Sequence, residues 1–386
     1  MSDGGMATVE QERAARLRRL MRAQGISHLL TADPINIVYA TGVRNMTIFS
    51  MMGASRFLLF SAEGPTIMWE FAGAEHLATD KVDEVRTAPG VTAVSGPGYL
   101  AAAKRYAAEV AECCEGNLDV AVERCDHPIT DALRAEGLQL LSATELFVEA
   151  RMIKTLAEVN VMQEAMARVE AGVVSMRNQI EPGRTENEVW AELHRHLIAT
   201  NGEYISTRLA QSGPRTFPYF KEASARVIEN GDLFCIDTDA IGLGGYGVDF
   251  SRTFRCGDLT STPAQLGVHA AALEQLEHNS ALLAPGRSFE DFARSAWTVP
   301  ERHAPYGYYC LAHGLGLSGE YPYVPKAEAG ERYDFPGEFM PGMVICVESY
   351  IGDPDAAVGA KLEDQFLITE SGALAMSSLP HDLAWR

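Results

Sequence analysis

The chain has 386 residues, 47% of them hydrophobic, and a formal net charge of −20. Length and apolar content allow one large core or two medium ones and point to two domains. The acidity excludes a nucleic-acid or anionic-membrane partner, because both require a basic surface.

No apolar run approaches the ~20 residues that cross a bilayer, and the N-terminal stretch has no signal-peptide apolar region. A cytoplasmic protein is expected. The seven cysteines are scattered without a CxxC pair, so they are read as reduced, structural thiols.

In chain order, residues 1–152 read as a small α/β domain by period and breakers. A charged helix around Gln11–Gln24 precedes strands in SHLLT and INIVYATG. RFLLF and PTIMWE form a hairpin across Glu63-Gly64-Pro65; Leu100–Cys114 is helical; LDVAVE is a strand. Asp126 and His127, followed by Pro128, read as a helix start rather than a metal site. From 153 to 386 the texture changes. Lys154–Gln179 and Thr185–Ala199 read as successive helices, the second opened by a capping box of Thr185 and Glu188. Helices at Pro263–Leu283 and Phe289–Trp297 alternate with long strands in MVICVESYIG and GAKLEDQFLIT.

The chemistry concentrates in Leu233–Cys256, LFCIDTDAIGLGGYGVDFSRTFRC. Asp237 and Asp239 are two apart in an apolar run and so share one face of a strand. Glycines then permit a tight reversal into a second strand. With the turn centred on Gly244, residues 239 and 249 lie directly opposite, with Cβ atoms about 5 Å apart. Three ionised carboxylates on one buried face repel one another and call for cations. Gly242-x-Gly244-x-x-Gly247 also satisfies a dinucleotide fingerprint, but that motif must open into a helix and here a strand follows.

Downstream, His313 stands in a glycine-rich turn, LAHGLGLSGEYP, while Glu348 and Glu363 sit among apolar residues in VICVESY and AKLEDQF. A buried, unpaired glutamate is costly, so each wants a cation or an arginine. Oxygen ligands with a single nitrogen suit Mn, Fe, Co or Zn. The full set, Asp237, Asp239, Asp249, His313, Glu348 and Glu363, reads as a site for two divalent transition-metal ions.

The succession RMIKTLAEV, GDLFCID…GYGVDFSRTF, HGLGL, PGMVICVES and KLEDQFLIT resembles the creatinase/prolidase/methionine-aminopeptidase (M24) superfamily over nearly the whole chain. The resemblance implies an α+β fold of the creatinase/aminopeptidase P type. Its parts are a small α/β N-terminal domain (1–152) and a C-terminal "pita-bread" catalytic domain (153–386). It also implies a binuclear metal site and a homodimer in which the N-terminal domain helps to close the partner's pocket.

Details separate the chain from the family's peptidases. Those carry two ligand aspartates eleven apart, where here the separations from Asp249 are twelve and ten. They carry a histidine in a Pro-His-Tyr element, where this chain has Pro218-Tyr219-Phe220, and a second one seven residues after the metal histidine, where it has Glu320. Both histidines serve the tetrahedral intermediate of peptide hydrolysis.

The DTD…GYG…D arrangement, Gly213–Thr216 and Glu320–Pro322 look like the superfamily's dimethylsulfoniopropionate (DMSP) lyases, which release acrylate and dimethyl sulfide by β-elimination at a binuclear, iron-containing site. All six of that branch's ligand positions are filled, but its proposed base, an aspartate before Glu-Tyr-Pro, is Gly319 here.

The expected function is therefore a two-metal enzyme related to these lyases that cleaves a small polar carboxylate-bearing substrate. Glu320 is the preferred acid/base, Tyr308 and Tyr219 are further candidates, and Arg215 would pair with a substrate carboxylate. The alternative is a metal-dependent hydrolase of amide bonds, Xaa-Pro aminopeptidase- or dipeptidase-like.

Overall fold

A computed structural model describes residues 3–90, 93–328 and 330–383. The chain divides into two compact units, residues 2–151 and 152–386.

The first unit contains α1 (Asp3–Ala23), β1 (His28–Thr31), α2 (Pro34–Thr41), α3 (Thr47–Met51), β2 (Phe57–Ser61), β3 (Ile67–Glu70), β4 (Glu84–Thr87), α4 (Tyr99–Cys113), β5 (Asp119–Glu123), α5 (His127–Ala135), β6 (Gln139–Ser142) and α6 (Thr144–Met152). Its six strands form one sheet in the order β4-β3-β2-β1-β5-β6. The expected hairpin pairs Phe57 with Trp69. The predicted strand in INIVYATG is instead the helix α2. Asp33 caps it, its side chain accepting from the amides of Ile35 at 2.8 Å and Asn36 at 3.0 Å, and Pro34 occupies the first turn. Seven of its eight residues are buried, so the segment is apolar all round and periodicity could not separate helix from strand.

The second unit contains α7 (Leu156–Arg177), α8 (Glu186–Ala199), β7 (Tyr204–Ile205), β8 (Ala210–Ser212), β9 (Leu233–Asp237), β10 (Ala240–Ile241), β11 (Gly247–Val248), β12 (Ser251–Arg255), α9 (Pro263–Ala281), α10 (Phe289–Ser295), β13 (Cys310–Leu315), β14 (Gly319–Pro325), β15 (Val344–Asp353), β16 (Val358–Thr369) and β17 (Gly372–Ala375). The capping box of Thr185 and Glu188 opens α8 as expected. An antiparallel sheet runs β14-β13-β15-β16-β12-β9-β8, with β17 added to β16.

Period-two alternation gives this sheet two unlike faces. Ile345, Val347, Ile351, Ala360 and Leu362 pack with Val268, Ala272 and Leu276 of α9, while Phe234, Ile236 and Phe254 pack with α7 and α8. The opposite face carries the intervening residues, Asp237, Ser251, Glu348, Lys361 and Glu363, all buried. The glycine-rich segment after β10 passes through one 3-10 turn, Leu243–Gly245, and then into the strands β11 and β12 rather than into an α-helix, so the dinucleotide reading has no structural basis. All seven cysteines are free.

Candidate metal centre

Sheet register brings the acidic residues into one line. Glu348 on β15 faces Glu363 on β16, Glu363 faces Ser251 on β12, and Ser251 faces Asp237 on β9. His313 on β13 faces Cys346, two residues before Glu348, and so reaches the same face.

The Asp–Gly reversal folds about Gly244. Ala240 pairs with Val248, Ile241 with Gly247 and, on the far side of the aspartates, Asp237 with Ser251. Asp239 sits between β9 and β10 with a left-handed φ of 38°, a conformation non-glycine residues hold only where their surroundings enforce it. Thr207 Oγ1 donates to its Oδ2 at 2.6 Å. One oxygen from each of Asp237, Asp239 and Asp249 lies within 4.8 Å of the others. A second group with the same spacing joins Asp249, His313, Cys346 and Glu363, so Asp249 is common to both.

His313 Nδ1 lies 3.2 Å from the Gly314 carbonyl, which turns Nε2 toward the carboxylates. Nε2 is 3.4 Å from Glu348 Oε1, 3.6 Å from Glu363 Oε1 and 3.7 Å from Asp249 Oδ2. A carbonyl fixing one ring nitrogen while the other faces the acids is the arrangement of a metal-binding imidazole.

Lys361, fully buried, reaches into the line from β16. Its Nζ lies 2.7 Å from Ser251 Oγ, 2.6 Å from Glu348 Oε2, 2.8 Å from Glu363 Oε2 and 3.4 Å from Asp237 Oδ2. Burial works against its charge, but Asp237, Glu348 and Glu363 outweigh it and hold its pKa well above the usual value.

One ammonium cannot offset five carboxylates. Burial, then Glu363 and the other two aspartates, pushes Asp249 well above the carboxylate range. Burial, then Asp237, pushes Asp239 up to about 7. Burial, then Glu348, pushes Glu363 up to about 8. Asp237 Oδ1, Asp249 Oδ1 and Glu363 Oε1 are buried without a hydrogen-bond partner. Such orphaned oxygens are expensive unless a cation takes them. The residues therefore fit a divalent metal group: hard oxygens with one imidazole, aimed at a common space.

Two of the expected site residues are engaged by partners within the chain. Glu320 does not present its carboxylate as a free acid/base. Its Oε2 forms an ion pair with Lys154 Nζ at 2.8 Å, both side chains nearly inaccessible, and its Oε1 accepts from the Leu317 amide at 3.0 Å. Arg215 is likewise committed: its Nε lies 3.1 Å from Glu186 Oε2 and its Nη2 donates to the Glu222 carbonyl at 2.7 Å. Buried Glu186 also accepts from the amides and hydroxyls of Ser212 and Ser224. It thereby clamps the loop that carries Tyr219, and the arginine belongs to that clamp.

The tyrosines stand at the cluster. Tyr219 donates its hydroxyl to Asp237 Oδ2 at 2.9 Å. Tyr308 packs its ring over the Lys361 ammonium at 4.7 Å. Burial first, then neighbouring carboxylates, raises both phenol pKa values well above the usual one, so both stay protonated and act as donors.

Sequence reasoning passed over Lys361, Ser251, Glu186 and Cys346. Lys361 and Cys346 each stand two residues before a candidate ligand, on its face of the strand. That parity was the available signal. Burial raises the Cys346 thiol well above its ordinary pKa, which makes it a neutral wall of the site.

Comparison with known proteins agrees with this geometry. Residues 160–370 match metallopeptidase family M24, and residues 13–153 match the Creatinase/Prolidase N-terminal domain. The chain is 34% identical to the dimethylsulfoniopropionate lyase DddP of Roseovarius nubinhibens over 393 residues, covering 97% of this chain and 88% of that protein. It is 28% identical to the probable dipeptidase PepE of Mycobacterium tuberculosis over 261 residues, 66% of each chain. Among solved structures, an Xaa-Pro dipeptidase from Bacillus anthracis is similar with a TM-score of 0.79 at 20% identity, covering 97% of this chain and 99% of that one, a likeness of fold alone. The chain therefore belongs to metallopeptidase family M24, as a metal-dependent lyase or hydrolase with a creatinase-type N-terminal domain and a pita-bread catalytic domain.

Proposed function

We propose that this protein is a two-metal lyase that cleaves a small, polar, carboxylate-bearing substrate by β-elimination, with DMSP as the first compound to test. Asp237, Asp239, Asp249, His313, Glu348 and Glu363 would hold two ions drawn from Fe, Mn, Zn or Co. Bound there, the ions supply Lewis acidity for a substrate carboxylate.

The observation that favours elimination over peptide hydrolysis is what stands at the two peptidase histidine positions. Tyr219 is tied to Asp237 and Glu320 is paired with Lys154, so neither provides the imidazole that serves a tetrahedral intermediate. The 34% identity with a DMSP lyase over 97% of the chain supports the same choice.

Between the two tyrosines, Tyr219 has its hydroxyl spent on Asp237, which leaves Tyr308 as the phenol that donates to substrate. With Gly319 at the branch's base position and Glu320 held by Lys154, proton removal falls to another group facing the cluster. The remaining elements of the reading are a domain division at 152/153, a homodimer and a cytoplasmic location. No helix among the described residues is long and apolar enough to cross a membrane.

The test is headspace detection of dimethyl sulfide from metal-loaded protein and DMSP, with His313→Ala as control. Sulfide that disappears in the variant is the expected result. Absence of sulfide from protein carrying two ions per chain would contradict the lyase reading and favour the amide hydrolysis of the dipeptidase relatives.

A further inference from the structure

The Lys361 ammonium is used to capacity. Its three N–H donors have three close acceptors, Ser251 Oγ at 2.7 Å, Glu348 Oε2 at 2.6 Å and Glu363 Oε2 at 2.8 Å. Ser251 passes the contact on, donating to Glu363 Oε2 at 2.9 Å. Two rings cover the charge, Tyr308 at 4.7 Å and Tyr219 at 5.8 Å from their centroids, and Tyr219 donates to the same Asp237 Oδ2 that faces the lysine.

Every one of these contacts falls on a single oxygen of each carboxylate. The second oxygens are left for something else: Glu363 Oε1 and Asp237 Oδ1 accept no hydrogen bond, and Glu348 Oε1 and Glu363 Oε1 both face His313 Nε2. The strand geometry explains the division. Residues two apart on one strand face are separated by about 6.6 Å, within reach of an extended lysine. Lys361 thus meets Glu363 from along its own strand while His313 approaches from β13.

We propose that Lys361 is the built-in counter-ion and positioning residue of the metal centre. It pins one oxygen of Glu348 and of Glu363, holds Asp237 Oδ2 electrostatically, and so presets the opposite oxygens toward the ions. This goes beyond the lyase reading and rests only on its assignment of metal to these carboxylates. Two consequences follow. In the metal-free protein Lys361 is the cation nearest this buried line, so its loss strikes that form hardest, because the ions offset the same carboxylates once bound. Its geometry also sets the ligand field, because an arginine keeps the charge but not a compact three-donor head.

The experiment compares wild type, Lys361→Met and Lys361→Arg, each chelated and each saturated with Co2+, by melting temperature, visible absorption and elemental analysis. Lys361→Met is expected to lower the melting temperature of the chelated protein by about 5 °C or more, and that of the loaded protein by less than half as much. Lys361→Arg is expected to keep the chelated melting temperature within about 2 °C while shifting the Co2+ d–d bands. A Lys361→Met chain that folds only in the presence of metal supports the same conclusion. Equal losses in both forms, or Co2+ bands in Lys361→Arg identical to wild type, overturn it. If Lys361→Met folds in neither form, the Lys361→Arg spectrum decides. A wild type that takes up no metal contradicts the proposed function, whereas the chelated arm still reads the counter-ion role.

Discussion

Glu363 and Asp364 are neighbours on one strand, both buried, and their side chains point to opposite faces of the sheet. On the rear face Asp364 is fully answered: Arg252 Nη2 donates to it at 2.8 Å, and His381 and Ser377 contact it as well. Burial alone would raise the Asp364 carboxyl, yet Arg252 and His381 hold it below the usual range. Arg252 also donates to the carbonyls of Ser251 and Glu363, locking the β12–β16 register that aligns the front face. On that front face Glu363 is left with an orphaned oxygen and a pKa pushed up to about 8. The same strand thus holds a saturated ion pair behind and an unsaturated acid cluster in front. Burial of charge is common to both. What marks the functional face is the excess of acids over protein cations.

The largest expected effect breaks the front face. Glu363→Gln or Asp249→Asn should lower metal-dependent turnover at least about a hundredfold while leaving a folded protein, as judged by circular dichroism. Asp364→Asn should do the reverse. Stranding Arg252 costs about 3–5 kcal/mol of stability, read by denaturant unfolding, with metal content unchanged. A smaller effect sharpens the boundary of the site. Tyr219→Phe removes one hydrogen bond to Asp237, worth about 1 kcal/mol, and should reduce turnover by roughly tenfold with little change in melting temperature.

The smallest concerns the rear support. His269 Nε2 contacts the His381 carbonyl at 2.7 Å, and burial holds the ring below its usual pKa. The unfolded chain therefore takes up that proton first, and the stability contributed by the neutral ring is complete above about pH 6.5 and falls as the pH drops below it. Unfolding free energies at pH 7.5 and 5.5 should show a shallower decline in His269→Gln than in wild type.

The contrast between the faces was half legible in the sequence. The Asp–Gly reversal and its centre at Gly244 could be read because strand pairing about a turn is arithmetic, and the structure keeps that register. Glu348 and Glu363 stood out as acids in apolar strands. Their partners did not. Lys361 was hidden because a lysine in a strand is ordinarily a surface residue, and only its parity with Glu363 places it inside. The commitments of Glu320 and Arg215 could not be read, because their partners, Lys154 and Glu186, lie 166 and 29 residues away along the chain. Pairing at that range is set by tertiary packing, which no local pattern carries. The misread helix α2 has the same origin: when every face of a segment is buried, period carries no information, and the capping Asp33 with Pro34 was the signal to follow.

The most direct test of the account is a calorimetric Mn2+ titration of chelated wild type, Glu363→Gln and Asp364→Asn, with elemental analysis of the saturated proteins. The account predicts two ions per chain for wild type and for Asp364→Asn, and loss of at least one ion in Glu363→Gln. Equal uptake by Glu363→Gln and wild type, or loss of metal in Asp364→Asn without loss of fold, would contradict it.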